Sequence, residues 1–214
     1  MQAAIIKETL PHKKYNCLSP MDISTEKVKD LRDRTGVSIM QCKKALEEAQ
    51  GDIEQAVVIL RKRSGAAAEK KADRSLGAGT VASYIHDGAI GALVLLSCET
   101  DFVGRNPEFV ALAREIAMQV AATNPPYKSA EDIPEDVRAS ARTVFEKEVQ
   151  DKPQDMREKI LQGKMESYFK DQVLLDQPYI KDEKKTVRDL ITEAVQKFGE
   201  RIEITQFARY SARG

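Results

Sequence analysis

Few residues in this chain have side chains suited to catalysis or to metal binding. The sequence has two histidines and three cysteines, at spacings that match no paired metal-ligand motif. His86 lies beside Asp87, but the local sequence places no Ser or Cys nucleophile near it. We therefore expect no catalytic residue, no metal site and no cofactor. His86 is expected in an exposed turn, and Cys98 is expected to be a buried, unreactive thiol.

The segment Gly77–Ala82 fits the GxGxxA pattern that binds the pyrophosphate of dinucleotides. That chemistry requires a strand before the glycines and a helix after them, because the helix N-terminus holds the phosphates. Here a charged, linker-like segment precedes the glycines, and a strand-like pattern follows them. The sequence therefore predicts no nucleotide site at this segment.

The segment Thr100–Val103 is better suited to binding a partner than to catalysis. It connects an apolar strand to a helix, which is a common position for binding loops, and it contains two large apolar residues. From spacing alone we expect Phe102 to fold back onto Phe109 or Val110 in the core. The alternative is that Phe102 is an exposed anchor, because aromatic residues are enriched at binding hot spots.

The composition indicates one or two domains and disfavours a general binder of polyanions. Of 214 residues, 34 are Lys or Arg and 34 are Asp or Glu, so the net charge is zero. Aromatic residues make up 6% and Trp is absent, which disfavours aromatic platforms for nucleic-acid bases. The longest apolar run, Ala89–Leu96, is too short to span a bilayer. We expect no direct nucleic-acid partner and no membrane partner.

Changes in periodicity divide the chain into a leader, a helical head, a linker and a core. The leader spans residues 1–23, the head residues 24–63, the linker residues 64–79 and the core residues 80–214. The linker contains glycines and a run of charges but few apolar residues. We therefore expect a solvated, partly helical tether about which the head and the core move independently. A patch that binds nucleic acid is the alternative interpretation of its basic charges.

The pattern of the head predicts three short helices. Ser38 is placed to cap the second helix and Asp52 to cap the third. Ile39 lies on the apolar stripe of the second helix, whereas Met40 lies off that stripe. Met40 is therefore either an exposed contact residue or a stray surface residue.

The pattern of the core predicts an α+β fold in which two or three antiparallel strands pack with helices. Asp87-Gly88 predicts a hairpin turn between a strand over 80–86 and a strand over 89–98. The second strand is apolar at nearly every residue, so we expect both of its faces to be covered. The remaining patterns predict helices near residues 107–124, 134–150, 156–174 and 186–199, and a final strand over 201–210.

Five stretches of the sequence resemble the elongation factor Ts family, and Cys98–Val103 is the most specific of them. Two of the others resemble the family's head and two its C-terminal part. Because the resemblance covers residues 24–210 in order, chance does not explain it. The five stretches are Thr35–Leu46, Gly51–Ala56, Cys98–Val103, Leu174–Asp182 and Phe207–Tyr210.

The resemblance implies a guanine-nucleotide exchange factor, not an enzyme, that binds elongation factor Tu both with GDP and without nucleotide. In the family, a ubiquitin-associated-like head docks on the GTPase, and a Thr-Asp-Phe-Val segment wedges beside the nucleotide and dislodges Mg²⁺. Carried over to this chain, the wedge consists of Thr100, Asp101, Phe102 and Val103, and the apolar head contacts are Ile39 and Met40. A protein-binding adaptor that uses the head without exchange activity is the alternative.

The chain resembles the short form of the family, because long members carry a duplicated core with a helical-hairpin insertion. For the short form a homodimer is the family precedent, and pairing would cover the open edges of a small sheet. Residues 1–20 lack a family counterpart, and we expect a disordered leader on a cytoplasmic bacterial protein. A transit peptide to an organelle is the alternative interpretation of these residues.

Overall fold

The computed structural model describes residues 23–212 with the exception of Lys152, so the prediction for residues 1–20 falls outside the described residues. Within the described part, helices and antiparallel strands form a mixed α+β protein, which confirms the predicted fold class. The helices are α1 (Thr25–Thr35), α2 (Ile39–Glu48), α3 (Ile53–Glu69), α4 (Asp101–Gly104), α5 (Pro107–Thr123), α6 (Glu135–Glu148), α7 (Gln154–Lys170) and α8 (Val187–Phe198). The strands are β1 (Ala78–His86), β2 (Ile90–Cys98), β3 (Pro178–Tyr179), β4 (Asp182–Thr186) and β5 (Glu203–Ser211).

Helices α1, α2 and α3 form a three-helix head with a hydrophobic cluster of its own. The side chains of Ser38 and Asp52 cap α2 and α3, each accepting a hydrogen bond from the backbone N–H three residues further on. Leu31, Leu46 and Leu60 contribute one buried side chain from each helix. The head therefore packs through apolar residues that recur every three or four positions along each helix.

The head contacts the core through α3 and α8. Helix α3 continues beyond the predicted end at residue 63 into the predicted linker, where an alanine run favours helix. Ala68 packs against the core, and the Lys71 ammonium donates a hydrogen bond to the Val195 carbonyl oxygen at 3.3 Å. The Gln196 side chain donates a hydrogen bond to that of Gln41 at 3.2 Å. Within residues 64–79, Ala68 and Lys71 thus contact the core, and independent movement of head and core stays a prediction.

The core is built on an antiparallel sheet with the strand order β1-β2-β5. The predicted hairpin turn is confirmed, since Asp87 and Gly88 are the central residues of a β-turn between β1 and β2, and both have positive φ angles, 49° and 66°, as a type I′ turn requires. One face of the sheet is covered, and there Val94 and Leu96 are fully buried in a cluster that includes Ile116 of α5. This face positions the end of β2 against α5.

The opposite face of the sheet is open. The strand register places Val81 beside Leu95, Ile85 beside Gly91, and Gly91 beside Tyr210 on this face. Val81, Ile85, Leu93 and Tyr210 are 47–71% exposed there, and Leu95 is half-buried. The prediction that both faces of β2 are covered is therefore wrong within a single chain, because the strand alternates and turns Leu93 outward.

Helices α6 and α7 pack against each other, and the rings of Phe145 and Tyr168 meet edge-on with their centroids 5.5 Å apart. Phe169 at the end of α7 belongs to a small cluster with Ile133 and Val173. The helix predicted over 156–174 ends at residue 170, and β3 and β4 pair in a second, two-stranded sheet. Among the described residues, no helix combines the length and apolar content needed to cross a bilayer.

Gly79 lies where β1 passes close to β2, and a Cβ atom there would lie 2.5 Å from the Leu96 carbonyl oxygen. Gly163 is the matched control, because a Cβ atom added there has no heavy atom within 4 Å. We expect Gly79→Ala to destabilise the protein by about 1–3 kcal/mol, as in overpacked cores. Gly163→Ala is expected to stabilise it by about 0.5–1 kcal/mol, since alanine loses less backbone entropy in a helix. Urea denaturation measures both changes, and equal midpoints would contradict the close approach.

Candidate partner-binding site

The segment Thr100–Val103 forms a single helical turn rather than an irregular connection. Thr100 is the N-cap of α4, and its hydroxyl accepts a hydrogen bond from the Val103 backbone N–H at 3.5 Å. Val103 is 5% exposed in the core, whereas Phe102 is 83% exposed. Successive residues of a helix point in directions about 100° apart. The turn that buries Val103 therefore directs Phe102 into solvent.

Phe102 does not fold back onto the following helix, so that expectation, drawn from spacing alone, is wrong. Phe109 is fully buried, and its ring packs edge-on against Phe198 of α8 at 5.8 Å between centroids. The position that spacing offered to Phe102 is thus filled by a residue from α8. The alternative expectation, an exposed aromatic residue on a binding segment, agrees with the observed exposure.

The turn is seated on the sheet by a close backbone contact. Gly104 is buried, and a Cβ atom on it would lie 3.1 Å from the Gly79 carbonyl oxygen. Glycine at this position lets α4 lie directly against β1. The Gly77–Ala82 segment, whose glycine pattern suggested a dinucleotide motif, therefore enters strand β1 and supports α4 instead of opening a helix.

Beside the turn, the side chains of Glu99 and Glu200 each accept hydrogen bonds from the backbone of the segment that contains the other residue. The Glu200 carboxylate accepts hydrogen bonds from the backbone N–H groups of Glu99 and Thr100, both at 3.0 Å, and from the Thr100 hydroxyl at 2.6 Å. In return, the Glu99 carboxylate accepts a hydrogen bond from the Arg201 backbone N–H at 2.6 Å and from the Arg74 guanidinium at 3.3 Å. Hydrogen bonds to ionised groups are among the stronger ones in proteins, so these reciprocal hydrogen bonds fix the backbone at the start of α4.

Asp101 points away from this network and pairs with Arg105 at 3.2 Å, one helical turn further on. Both side chains are exposed, and exposed pairs at this spacing contribute only a few tenths of a kcal/mol. The pair therefore holds Asp101 only weakly.

The head presents its two predicted contact residues to solvent. Met40 is 63% exposed, and Ile39 is 54% exposed although its spacing suggested the buried stripe. Ile39 opens α2, before the first buried residue of that helix, Cys42. The prediction that Ile39 lies on the buried face is wrong, and both residues form an exposed apolar pair.

Lys197 of α8 connects the head to the segment that carries α4. Its aliphatic chain lies against Gly36 in the loop before α2. Its ammonium pairs with Glu108 in the first turn of α5 at 2.8 Å. Gly36 has a φ angle of 66°, which favours glycine, and a side chain there would meet Lys197. The exposed pair Ile39 and Met40 and the turn α4 thus belong to segments joined through α8.

The other residues selected for possible chemistry have structural surroundings. His86 is exposed, stacks beside Tyr84 and lies 3.6 Å from the Asp87 carboxylate. Cys98 is buried, as expected, and its thiol donates a hydrogen bond to the Thr100 carbonyl oxygen at 3.1 Å. Burial raises the pKa of the Cys98 thiol, and the nearby carboxylate of Glu200 raises it further. Cys98 therefore acts as a neutral donor to the segment before α4.

Glu200 is the residue of this site that sequence reasoning missed. It lies about one hundred residues after Thr100 in the chain, and its local sequence indicates only the end of a helix at Gly199. No periodicity or motif pairs two such distant residues.

The fold places the chain among mixed α+β proteins with a helical head, and comparison with known proteins identifies the family. The family model described as "Elongation factor TS" matches residues 23–213. The chain is 48% identical over 191 residues to Elongation factor Ts from Thermodesulfovibrio yellowstonii, which covers 89% of this chain and 96% of that protein. It is 47% identical over 191 residues to Elongation factor Ts from Thermotoga neapolitana, with 89% and 97% covered. The chain belongs to the elongation factor Ts family, so the resemblance found in the sequence is confirmed.

The hydrogen bonds to the Glu99 carboxylate predict a pH-dependent contribution to the stability of the protein. The hydrogen bond from the Arg201 backbone N–H, helped by Arg74, holds the pKa of Glu99 below its ordinary value, although burial opposes the shift. A lowered pKa in the folded state stabilises the protein above the unfolded-state pKa. This contribution is lost as the pH falls through the folded-state pKa.

We therefore expect Glu99→Gln to lower stability at pH 7 by about 1 kcal/mol, because the amide oxygen keeps one acceptor but loses the charge. The difference between wild type and variant should shrink as the pH falls below the ordinary range of a glutamate. Melting temperatures between pH 3 and pH 7 measure it. Glu183→Gln, at an exposed position of β4, is the matched control. A difference that is constant with pH would contradict the assigned role of the Glu99 charge.

Proposed function

We propose that this chain is the guanine-nucleotide exchange factor of elongation factor Tu, binding it with GDP and without nucleotide. Membership of the elongation factor Ts family supports this role in translation. The observation that carries the proposal is the Phe102 ring, which is exposed on a turn whose next residue, Val103, is buried. An exposed aromatic side chain on a rigidly held support is suited to insertion into a protein partner.

The proposed mechanism depends on Mg²⁺ bound to the GTPase. Mg²⁺ neutralises phosphate charge and links the nucleotide to the protein, so a conformation that binds Mg²⁺ poorly also releases GDP. Phe102 is the ring that intrudes beside the nucleotide, and Asp101 supplies polar contacts. Thr100 and Val103 hold the ends of the wedge. Because the factor and GDP then favour different conformations of the GTPase, each lowers the affinity for the other by the same ratio.

Ile39 and Met40 of the head form the second proposed contact with elongation factor Tu. Their exposure makes them available, and the connection through Lys197 joins the head to the segment of the wedge. Two linked contacts raise the effective concentration of each at its own site. In this proposal the ubiquitin-associated-like head provides affinity and the wedge provides exchange. The factor acts in the cytoplasm by binding a protein, without catalytic residues, nucleic acid or membrane.

Phe102→Ala should slow stimulated GDP release from elongation factor Tu by at least about tenfold, since truncated aromatic hot spots typically cost 2 kcal/mol or more. Stability should change by less than about 0.5 kcal/mol, because the ring lies mostly in solvent. Stopped-flow fluorescence of labelled GDP, with thermal unfolding of the same variant, measures both quantities.

Val144→Ala removes an exposed apolar side chain of α6 and is the control for that experiment. Met40→Ala should raise the concentration of factor needed for half-maximal stimulation and leave the maximal rate unchanged. Normal exchange by Phe102→Ala would reject the wedge. Absence of stimulation by the wild-type chain would reject the exchange function altogether.

We propose further that the chain forms a homodimer through the open face of its sheet. From Gly91 to Leu95 of β2 and at the residues paired with them, this face carries no charged side chain, and Glu203 lies beside Ser97 at its end. Face-to-face packing of two such sheets, about 10 Å apart, would bury these apolar side chains against their copies. This arrangement replaces the edge pairing expected from the sequence. The face consists of Val81, Ser83, Ile85, Gly91, Leu93, Leu95, Gln206, Ala208 and Tyr210.

Light scattering at micromolar concentration should give the mass of two wild-type chains. Leu93→Lys should give the mass of one, because it places a charge at the centre of the proposed interface, where burial of an unpaired ammonium is costly. Val144→Lys adds the same charge at an exposed position of α6 and should leave the dimer intact. A wild-type chain with the mass of a monomer would reject the homodimer.

A further inference from the structure

Helix α4 is too short to be stable on its own. It contains four residues, and an isolated first helical turn is unfavourable because several backbone dihedral angles are fixed for one hydrogen bond. The direction of the Phe102 ring therefore depends on contacts that hold the turn from outside.

Two of these contacts belong to the turn itself and lie at its C-terminal end. Val103 is buried in the core, and Gly104 lies against the backbone of Gly79. They anchor the side of α4 that faces β1. They do not determine the direction from which the chain enters the turn at Thr100.

The entrance to α4 is held by Glu200. Its carboxylate accepts the backbone N–H groups of Glu99 and Thr100 with one oxygen and the Thr100 hydroxyl with the other. The same hydroxyl accepts the Val103 N–H inside the turn. A single carboxylate thus fixes two successive peptide groups and the side chain that caps α4.

Glu200 is itself rigidly placed. It follows Gly199, whose φ angle of 75° and hydrogen bond to the Val195 carbonyl oxygen end α8. The next residue, Arg201, donates its backbone N–H to the Glu99 carboxylate at 2.6 Å. The backbone at residues 99–100 and the backbone at residues 200–201 are therefore joined by hydrogen bonds that run in both directions.

We propose that Glu200 is a positioning residue for nucleotide exchange, which fixes the Thr100–Val103 turn in the orientation that docks on the GTPase. The inference rests on the proposed exchange function and adds a residue outside the wedge to it. Glu200 acts through Thr100, and its carboxylate is occupied by three donors of this chain. The effect of Glu200 on exchange therefore requires a wedge that contains Phe102.

Three variants of the full-length chain test the proposal in the labelled-GDP release assay. Glu200→Ala should lower the stimulated rate by about tenfold, because three hydrogen bonds to an ionised group are lost. Glu200→Gln should retain most of the rate, since its amide oxygen still accepts the two N–H groups and its amide nitrogen donates to the Thr100 hydroxyl. Glu193→Ala, which removes a carboxylate of α8 that pairs with Lys185 of β4, should leave the rate unchanged.

A double-mutant cycle with Phe102→Ala separates positioning from a general loss of folded protein. If Glu200 acts through the turn, Glu200→Ala should reduce the remaining rate by less than about threefold in the Phe102→Ala background. Hydrogen exchange provides a readout without the GTPase, and Glu200→Ala should speed exchange of the backbone amides of residues 103–105.

Each outcome is decisive. Equal losses in both backgrounds would overturn the positioning role, because they indicate a general effect on the fold. A wild-type rate together with normal amide protection in Glu200→Ala would overturn the inference and leave the exchange function standing. Failure of the wild-type chain to stimulate release would overturn the exchange function and this inference with it, even if the amides of residues 103–105 respond.

Discussion

The candidate site depends on the burial of one face of β2 against α5. This strand is the centre of the three-stranded sheet, and α5 removes its inward side chains from water. Because β2 ends at Cys98 in the core, the chain leaves the sheet at a fixed point and must turn at once to enter α5. Helix α4 occupies that short distance, and its geometry follows from the fixed strand on one side and the fixed helix on the other.

Within these limits the protein holds the backbone of the Thr100–Val103 turn and leaves the side chains of Asp101 and Phe102 exposed. Gly104 brings the turn onto β1, Val103 enters the core, and Glu200 binds the entrance. The Phe102 ring is exposed, and Asp101 forms only an exposed ion pair with Arg105. Such preorganisation limits the loss of conformational entropy on docking, because the segment that carries the binding side chains is already ordered.

Helix α8 unites the parts of the molecule that the sequence separates into head, linker and core. It packs against α3, contacts the head through Gln196 and Lys197, and ends at the glycine that places Glu200. The family comparison establishes what kind of protein contains this arrangement. The open face of the sheet lies across the sheet from α5, and in the proposed homodimer it would contact the second chain away from Phe102.

The sequence alone determined the features that depend on neighbouring residues. Helical periodicity and capping residues predicted the helices of the head, Asp87-Gly88 predicted the hairpin, and the Cys98–Val103 segment together with the head signature indicated the family.

Only the tertiary structure decided which side of each element is covered. Spacing offered Phe102 a place against Phe109, but Phe198 fills that place from a distant helix. The apolar pattern of β2 suggested two covered faces, yet the described chain supplies a layer for only one. Glu200 and Thr100 are paired by the fold alone, because hydrogen bonds between residues a hundred positions apart leave no periodic trace in a sequence.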